Sequence, residues 1–210
     1  MRLLGEMNKT LPAELPAENV TAIIDTREQL PLDLAPLRME RGTLATGDYS
    51  IKGMEHVVSL ERKSLDDLLS CIGSDRERFD REVQRLLAYP VRCLIVESSW
   101  QELERGGWRS KVSTAAAIGS CLGWIASGLP IIMAQTHQRA GQFAGRILYT
   151  AARRRWREAR ELFGPPIETD PPKAPESVGV QSRVTPSKSI PEPPTASAGR
   201  HSGLSGVESQ

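Results

Sequence analysis

The stretch Glu55-His56-Val57-Val58-Ser59-Leu60-Glu61-Arg62-Lys63-Ser64-Leu65-Asp66-Asp67 changes character in its middle, and that change decides the fold class. Up to Arg62 it reads as a strand bounded by turn residues. From Ser64 it reads as a helix start: Ser64 can cap a helix begun at Leu65, with Asp66 and Asp67 favourably placed in the first turn. Upstream, residues 40–51 (ERGTLATGDYSI) look like the other side of a β-hairpin, joined through the turn-prone Lys52-Gly53. Residues 20–25 (VTAIID) are a third strand signal, ending on an acid.

Downstream, the first helix should stop near Gly73. Ser74 or Asp75 opens a second that runs through Tyr89 with the apolar stripe Phe79, Val83, Leu86 and Leu87, and Pro90 stops it. Residues 91–97 (VRCLIVE) form a near-continuous apolar run of strand length, which implies a strand buried on both faces. A short helix at 101–105, an uncharged helix at 112–127, a strand at 129–134 and a long helix from Thr136 to about Phe163 complete the series. Strands first, then strands alternating with helices, predict an α/β sandwich with helices on both faces of a mixed sheet. No internal repeat is present.

The 210 residues make one ordinary domain with a remainder. Residues 1–19 read as a leader arm without period, 20–164 as the domain, and 165–210 as a disordered tail. That tail holds nine of the fifteen prolines, eight serines and no aromatic residue, too little apolar surface to offset its conformational entropy. Net charge is +1, but residues 20–104 carry 11 Lys/Arg against 16 Asp/Glu, whereas 105–164 carry 10 Lys/Arg against two acids. An acidic half beside a basic half suits a site that holds cations near a polyanion, and unevenly solvated faces give the same sums. Three widely spaced cysteines (Cys71, Cys93, Cys121) give neither a disulfide framework nor a zinc pattern and fit a reducing compartment. Residues 112–138 lack charge, but Gly128-Leu129-Pro130 breaks them into a helix and a strand, so the expectation is a buried pair rather than a membrane span. No secretory signal is expected at the start of the chain.

Four charged clusters fall at strand ends: Asp25-Thr26-Arg27-Glu28, Gly47-Asp48-Tyr49, Glu61-Arg62-Lys63 and Asp66-Asp67. Residues two apart on a strand share a face, so Glu61 and Lys63 point the same way. Asp25, Asp48 and Glu61 would converge if their strands are neighbours. Three carboxylates brought together repel unless a cation sits among them, and oxygen ligands suit Mg²⁺ or Mn²⁺. A lysine beside such an ion can orient a water and offset charge on a phosphate oxygen, which is the chemistry of phosphodiester cleavage. Taken alone, Glu-x-Lys recurs by chance, and a solvated strand edge explains it as well.

The full string Ile24-Asp25-Thr26-Arg27-Glu28, Gly47-Asp48-Tyr49 and Glu61-Arg62-Lys63-Ser64-Leu65-Asp66-Asp67 resembles the XPF-type structure-specific DNA endonucleases, whose signature is D-x-R-E, then G-D, then E-R-K, three residues and D. The resemblance covers about residues 20–160. It implies a restriction-endonuclease-like, PD-(D/E)XK three-layer α/β sandwich with a central mixed sheet. Its implied activity is a Mg²⁺-dependent endonuclease, with Mn²⁺ able to substitute, cutting phosphodiester bonds near branches or flaps in DNA repair or recombination. It also places metal ligands at Asp25, Asp48 and Glu61 and the catalytic lysine at Lys63. Arg27, Glu28, Arg62 and Asp67 would be supporting members of the site, and Asp67 could equally be a helix N-terminal charge. A DNA-contacting basic residue would be Arg76 or Arg78.

Many relatives add a tandem helix-hairpin-helix module or a helicase, and this sequence shows neither, so a stand-alone nuclease domain is expected. Arg153, Arg154, Arg155 and Arg157 are candidate phosphate contacts or a solvated helix end. Trp108, with Arg109 and Lys111, could stack on a strand or pack under a loop. The resemblance further implies pairing, as a homodimer or with another nuclease-fold or DNA-binding subunit. Trp124, Ile125, Ile147 and Leu148 are then either interface or ordinary core. The expected setting is cytoplasmic, nucleoid-associated in a bacterium or phage, with DNA as partner and no membrane. Two alternatives stand beside this reading: a non-catalytic DNA-binding scaffold of the same fold, and a nuclease acting on RNA or unbranched DNA.

Overall fold

The computed structural model describes residues 11–163. The expected disorder of the 165–210 tail lies outside the described residues, as do residues 1–10 of the leader. Six strands form one mixed sheet in the order β2-β1-β3-β4-β5-β6. They are β1 (Thr21–Asp25), β2 (Arg38–Gly42), β3 (Tyr49–Ile51), β4 (Val58–Ser64), β5 (Val91–Glu97) and β6 (Ile131–Met133). The helices are α1 (Leu65–Ile72), α2 (Arg76–Leu87), α3 (Trp100–Arg105), α4 (Thr114–Ala126) and α5 (His137–Phe163). β3 is antiparallel to both β1 and β4, and the other neighbours are parallel.

The two-residue period of the strands sorts the core into layers. On β4 and β5, Val58, Leu60, Cys93 and Ile95 pack against α5 through Ala144, Leu148 and Ala151. The intervening Leu94 and Val96 pack on the opposite face with Leu68 of α1, Phe79 of α2 and Cys121 of α4. Glu61 and Lys63 therefore share the α1–α2 side with Leu94 and Val96, while Arg62 and Glu97 share the α5 side with Ile95. This is the three-layer α/β arrangement expected.

One element differs. Residues 40–51 are not a single hairpin strand: β2 is an edge strand parallel to β1, and only β3 forms the hairpin with β4, with Tyr49 opposite Leu60. The break lies at Gly47, whose φ is +78°, and a Cβ there would run into Ser59 Oγ and come within 2.8 Å of the Leu60 carbonyl oxygen. Only glycine fits that approach, and it presses Asp48 against β4.

Ser64 accepts a hydrogen bond from the Asp67 amide (3.1 Å), so the β4-to-α1 switch is capped as its sequence predicts. The leader is tied down where described: Tyr149 Oη donates to the Leu15 carbonyl (2.8 Å) and Trp156 Nε1 to that of Pro12 (3.1 Å). No described helix is long and apolar enough to cross a membrane. All three cysteines are free and buried.

Candidate active site

The signature residues gather where β1, β3, β4 and β5 meet. Asp48 is held there by its backbone: its amide donates to the Leu60 carbonyl (2.8 Å), and its own carbonyl accepts from the Asp25 amide (2.8 Å). Its Oδ2 accepts from the Arg62 amide (2.8 Å). Glu61, 2% exposed, faces the same side as Lys63, and Lys63 Nζ pairs with Glu61 Oε1. Lys63 Nζ also lies 5.4 Å from the centre of the Phe79 ring, so α2 closes the lysine in. Glu61 Oε2 is buried and has no hydrogen-bond partner among the described residues. An orphaned carboxylate oxygen costs free energy unless something positive reaches it.

The protonation equilibria point the same way. Burial, then the Asp48 charge, pushes the Glu61 carboxyl up against the pull of Lys63. Burial also raises Asp48, although the Arg62 amide and Lys63 oppose it. Burial works against the Lys63 ammonium, but Glu61 and Asp48 outweigh it and hold its proton more tightly. Every group of the cluster thus retains a proton beyond its ordinary range, the behaviour of a site short of positive charge. An oxygen-seeking divalent cation fits the Asp48 and Glu61 donors and supplies that charge.

Asp25 is different. It is 1% exposed, and both its oxygens are occupied: Oδ1 by the Arg27 amide (2.9 Å) and Arg27 Nε (2.6 Å), Oδ2 by the Leu44 amide (2.7 Å) and Arg27 Nη2 (3.1 Å). Burial opposes its ionisation, yet these donors hold the carboxyl down to about 2. The expected convergence of three carboxylates is therefore not present in this arrangement. Among the described residues no group of three potential ligands is arranged to hold a metal ion. The cause is local, since the chain folds back after β1 and spends Asp25 on its own neighbours.

Arg27 also donates to the Leu44 carbonyl (2.9 Å), and its side chain is 69% exposed. Arg62 is the reverse, a nearly buried cross-brace. It binds Glu28 through Nε (3.0 Å) and Nη2 (3.3 Å) and Glu97 through Nη1 (3.0 Å). His137 Nδ1 lies 2.7 Å from the same Glu97 oxygen, which anchors the start of α5 to the end of β5. Arg41 Nη1 donates to the Glu28 carbonyl (2.7 Å). Asp67 is an exposed helix-start residue whose Oδ2 accepts from Ser64 Oγ (2.7 Å). Its helix-terminal alternative is the one the geometry displays.

Of the basic candidates, Arg76 is engaged with Asp80 (3.3 Å), Ser120 Oγ (2.8 Å) and the Trp124 face, and Arg78 pairs with Asp75 (3.3 Å). Arg154 and Arg155 pair with Glu158, whereas Arg153 and Arg157 pair with no described residue. Trp108 packs into the α1–α2–α4 cluster and donates to the Val112 carbonyl (2.7 Å), so it supports a loop and is no exposed stacking platform. Trp124 and Leu148 are core, Ile147 packs against the core, and of the four interface candidates only Ile125 is exposed.

Sequence reasoning missed Glu82, Glu97 and His137. The Glu82 charge bears on Asp48, Glu61 and Lys63. It stands one helical turn beyond Phe79, and that spacing was the available signal. Glu97 ends a buried strand on a charge and His137 begins a helix, but nothing local in the sequence pairs them.

A mixed sheet layered between helices, with acids and a lysine at one strand's end, defines the restriction-endonuclease-like class. The sequence profile of the ERCC4 domain matches residues 24–147, and the chain belongs to that family, whose members are generally divalent-metal-dependent nucleases. No curated protein matches the sequence. Among solved structures, XPF from Aeropyrum pernix superposes with a TM-score of 0.51 at 16% identity, over 68% of this chain and 69% of that one. XPF from Aeropyrum pernix in complex with DNA gives 0.53 at 16%, over 63% and 65%. At that identity the likeness establishes the restriction-endonuclease-like fold.

Proposed function

We propose that this chain is a Mg²⁺-dependent endonuclease that hydrolyses DNA phosphodiester bonds near branches or flaps. The observation that carries the reading is the buried Glu61, paired with Lys63 through one oxygen and left without a described partner on the other, with the Asp48 charge acting on both. Asp48 and Glu61 would hold the ion, which polarises a phosphoryl oxygen and lowers the pKa of water when bound. Lys63, kept protonated and packed against Phe79, stabilises negative charge growing on the phosphate. Arg27, fixed by Asp25 but exposed, keeps Nη1 without a partner among the described residues and would offer it to a neighbouring phosphate. Arg62, Glu28 and Glu97 keep the strand ends in register and touch no substrate. DNA as partner agrees with a related fold solved with DNA. The buried thiols suit a reducing, cytoplasmic setting, and pairing with a second nuclease-fold subunit is part of the reading.

The test is cleavage of end-labelled linear, forked, 3′-flap and 5′-flap DNA in Mg²⁺, Mn²⁺ or EDTA, by the wild type and by Asp48→Ala/Lys63→Ala. Metal-dependent cutting beside the junction by the wild type alone is expected. Equal cutting by the double variant would sink the assignment, and preferential cutting of RNA or linear duplex would redirect the substrate. One observation favours a non-catalytic DNA-binding subunit of the same fold: both Asp25 oxygens are taken up by Arg27 and Leu44, so among the described residues no three-ligand cage stands preformed. That reading expects junction binding without cutting in any metal.

A further inference from the structure

α5 carries a feature that the signature does not account for. Arg139, Arg146 and Arg153 recur every seven residues, a spacing that drifts only about 20° per repeat around an α-helix, and Arg157 lies one further turn along. All four are exposed, and the buried residues Ala140, Ala144, Leu148 and Ala151 occupy the opposite side of the helix. The ridge is not neutralised. Residues 137–157 contain no Asp or Glu, and none of the four arginines forms an ion pair with a described residue. The Arg139 side chain donates only to Gln135 among the described residues and lies 5.8 Å over Phe143.

The ridge starts at the catalytic end, because His137 is bound to Glu97, and Glu97 to Arg62 beside Asp48. From Arg139 to Arg157 it runs about 27 Å at 1.5 Å per residue, the length of about 8 base pairs at 3.4 Å each. Exposed large apolar side chains on α5 come only after the ridge, at Leu162 and Phe163, so the ridge itself has nothing to insert into a lipid surface. A row of guanidinium groups with no ion-pair partner among the described residues matches a phosphate backbone.

From this ridge we infer that α5 is a track for one duplex arm of the DNA substrate. The inference rests on the proposed nuclease function and adds to it which part of the substrate is held, and where. Glu61 and Lys63 face the α1–α2 side of the sheet, whereas the ridge lies outside the α5 layer on the opposite side. A straight duplex cannot lie along both. DNA that bends at a junction can, with its cleaved strand over the sheet end and one arm along α5. The track reads no sequence, since arginine–phosphate contacts position without specifying.

The experiment uses the full chain with Lys63→Ala to stop turnover, and compares it with the same chain carrying Arg139→Ala, Arg146→Ala, Arg153→Ala and Arg157→Ala. A third protein with lysine at those four positions controls for folding. Each is titrated with a fork whose duplex arm is about 20 or about 6 base pairs, against a track spanning about 8. Four lost phosphate contacts remove about 3.6 from the slope of log affinity against log salt, so a rise from about 50 to about 200 mM costs the parent roughly 100-fold more affinity than the alanine variant. The lysine version is expected to keep the parent's slope, and only the parent and lysine proteins should favour the longer arm. Equal slopes and arm preference for the alanine variant overturn the track and leave the nuclease reading intact. Failure of the parent to bind any fork overturns both, and ridge-dependent binding to phosphatidylserine vesicles in place of the fork overturns the track in favour of a membrane surface.

Discussion

The ends of β1 and β4 each bury a carboxylate, 1% exposed at Asp25 and 2% at Glu61, and the two are completed in opposite ways. Asp25 accepts four hydrogen bonds from Arg27 and Leu44, and its proton is lost well below the ordinary carboxylate range. Glu61 has one oxygen on Lys63 and one on no described group, and its proton is held above that range. Both belong to one acidic signature, yet the first is spent on holding the chain together and the second is left open. Burial alone does not mark a reactive carboxylate; an unmet acceptor beside like charge does.

The largest effect should come from the open end. Replacing Glu61 with Gln keeps its shape and removes the charge, and cleavage is expected to fall about 1000-fold in single-turnover assays, the scale of losing a central group in proton and phosphate chemistry. Mn²⁺ affinity should fall with it. A Glu61→Gln protein that binds Mn²⁺ and cuts like the wild type would erase the distinction.

Asp25→Asn tests the closed end. Removing the charge from a buried, multiply bonded acceptor is expected to cost about 2–3 kcal/mol of stability, read from the urea midpoint. Mn²⁺ affinity of the folded protein should change less than about threefold, within the scatter of a site whose ligands are elsewhere. A variant as stable as the parent that no longer binds Mn²⁺ would place Asp25 among the ligands and show that Arg27 releases it.

The two ends also predict opposite pH limbs for the metal-free protein. Asp25 titrates at about 2 when folded against an ordinary 3.8, so the unfolded chain binds more protons between those values. Its contribution, on the order of 2 kcal/mol, is complete above about pH 4 and is lost as pH falls through 2. Glu61 and Asp48 are raised, so the folded state binds more protons, and stability declines as pH rises above their ordinary range near 4. Melting temperatures should peak in the acid range without metal, and Mg²⁺ should flatten the alkaline decline only. An alkaline decline unchanged by saturating Mg²⁺ would separate the ion from the Asp48–Glu61 pair.

How much of this was legible follows from range along the chain. VRCLIVE at 91–97 announced a strand buried on both faces, and Ser64 announced its helix, because a run of apolar residues and a cap are local. The split of 40–51 was not legible, since the approach of Gly47 to Leu60 is made across strands and only the fold reveals it. Asp48, Glu61 and Lys63 could be picked out by spacing and resemblance. The sequestering of Asp25 could not: Arg27, two residues on, supplies three of its four hydrogen bonds, but an arginine there can as well face outward, and the fourth donor is the Leu44 amide 19 residues away, a group that every residue but proline has. Glu97 with His137, 40 residues apart, fails for the same reason.

The smallest effect belongs to a residue that lies in the signature without a place in the cluster. Asp67 is exposed, accepts from Ser64 Oγ, and sits in the first turn of α1. A negative charge there favours the helix dipole by about 0.3–1 kcal/mol, and Asn keeps the acceptor while dropping the charge. Asp67→Asn should therefore lower stability by no more than that and leave the single-turnover cleavage rate within about twofold, a change near the limit of resolving 0.4 kcal/mol. Ser64→Ala, which removes the cap itself, should cost about 1 kcal/mol. If Asp67→Asn instead abolished cleavage with its melting temperature intact, the exposed carboxylate would have to reach the reacting phosphate or its ion. The line between charges that build this sheet end and charges that work on substrate would then have to be redrawn around α1.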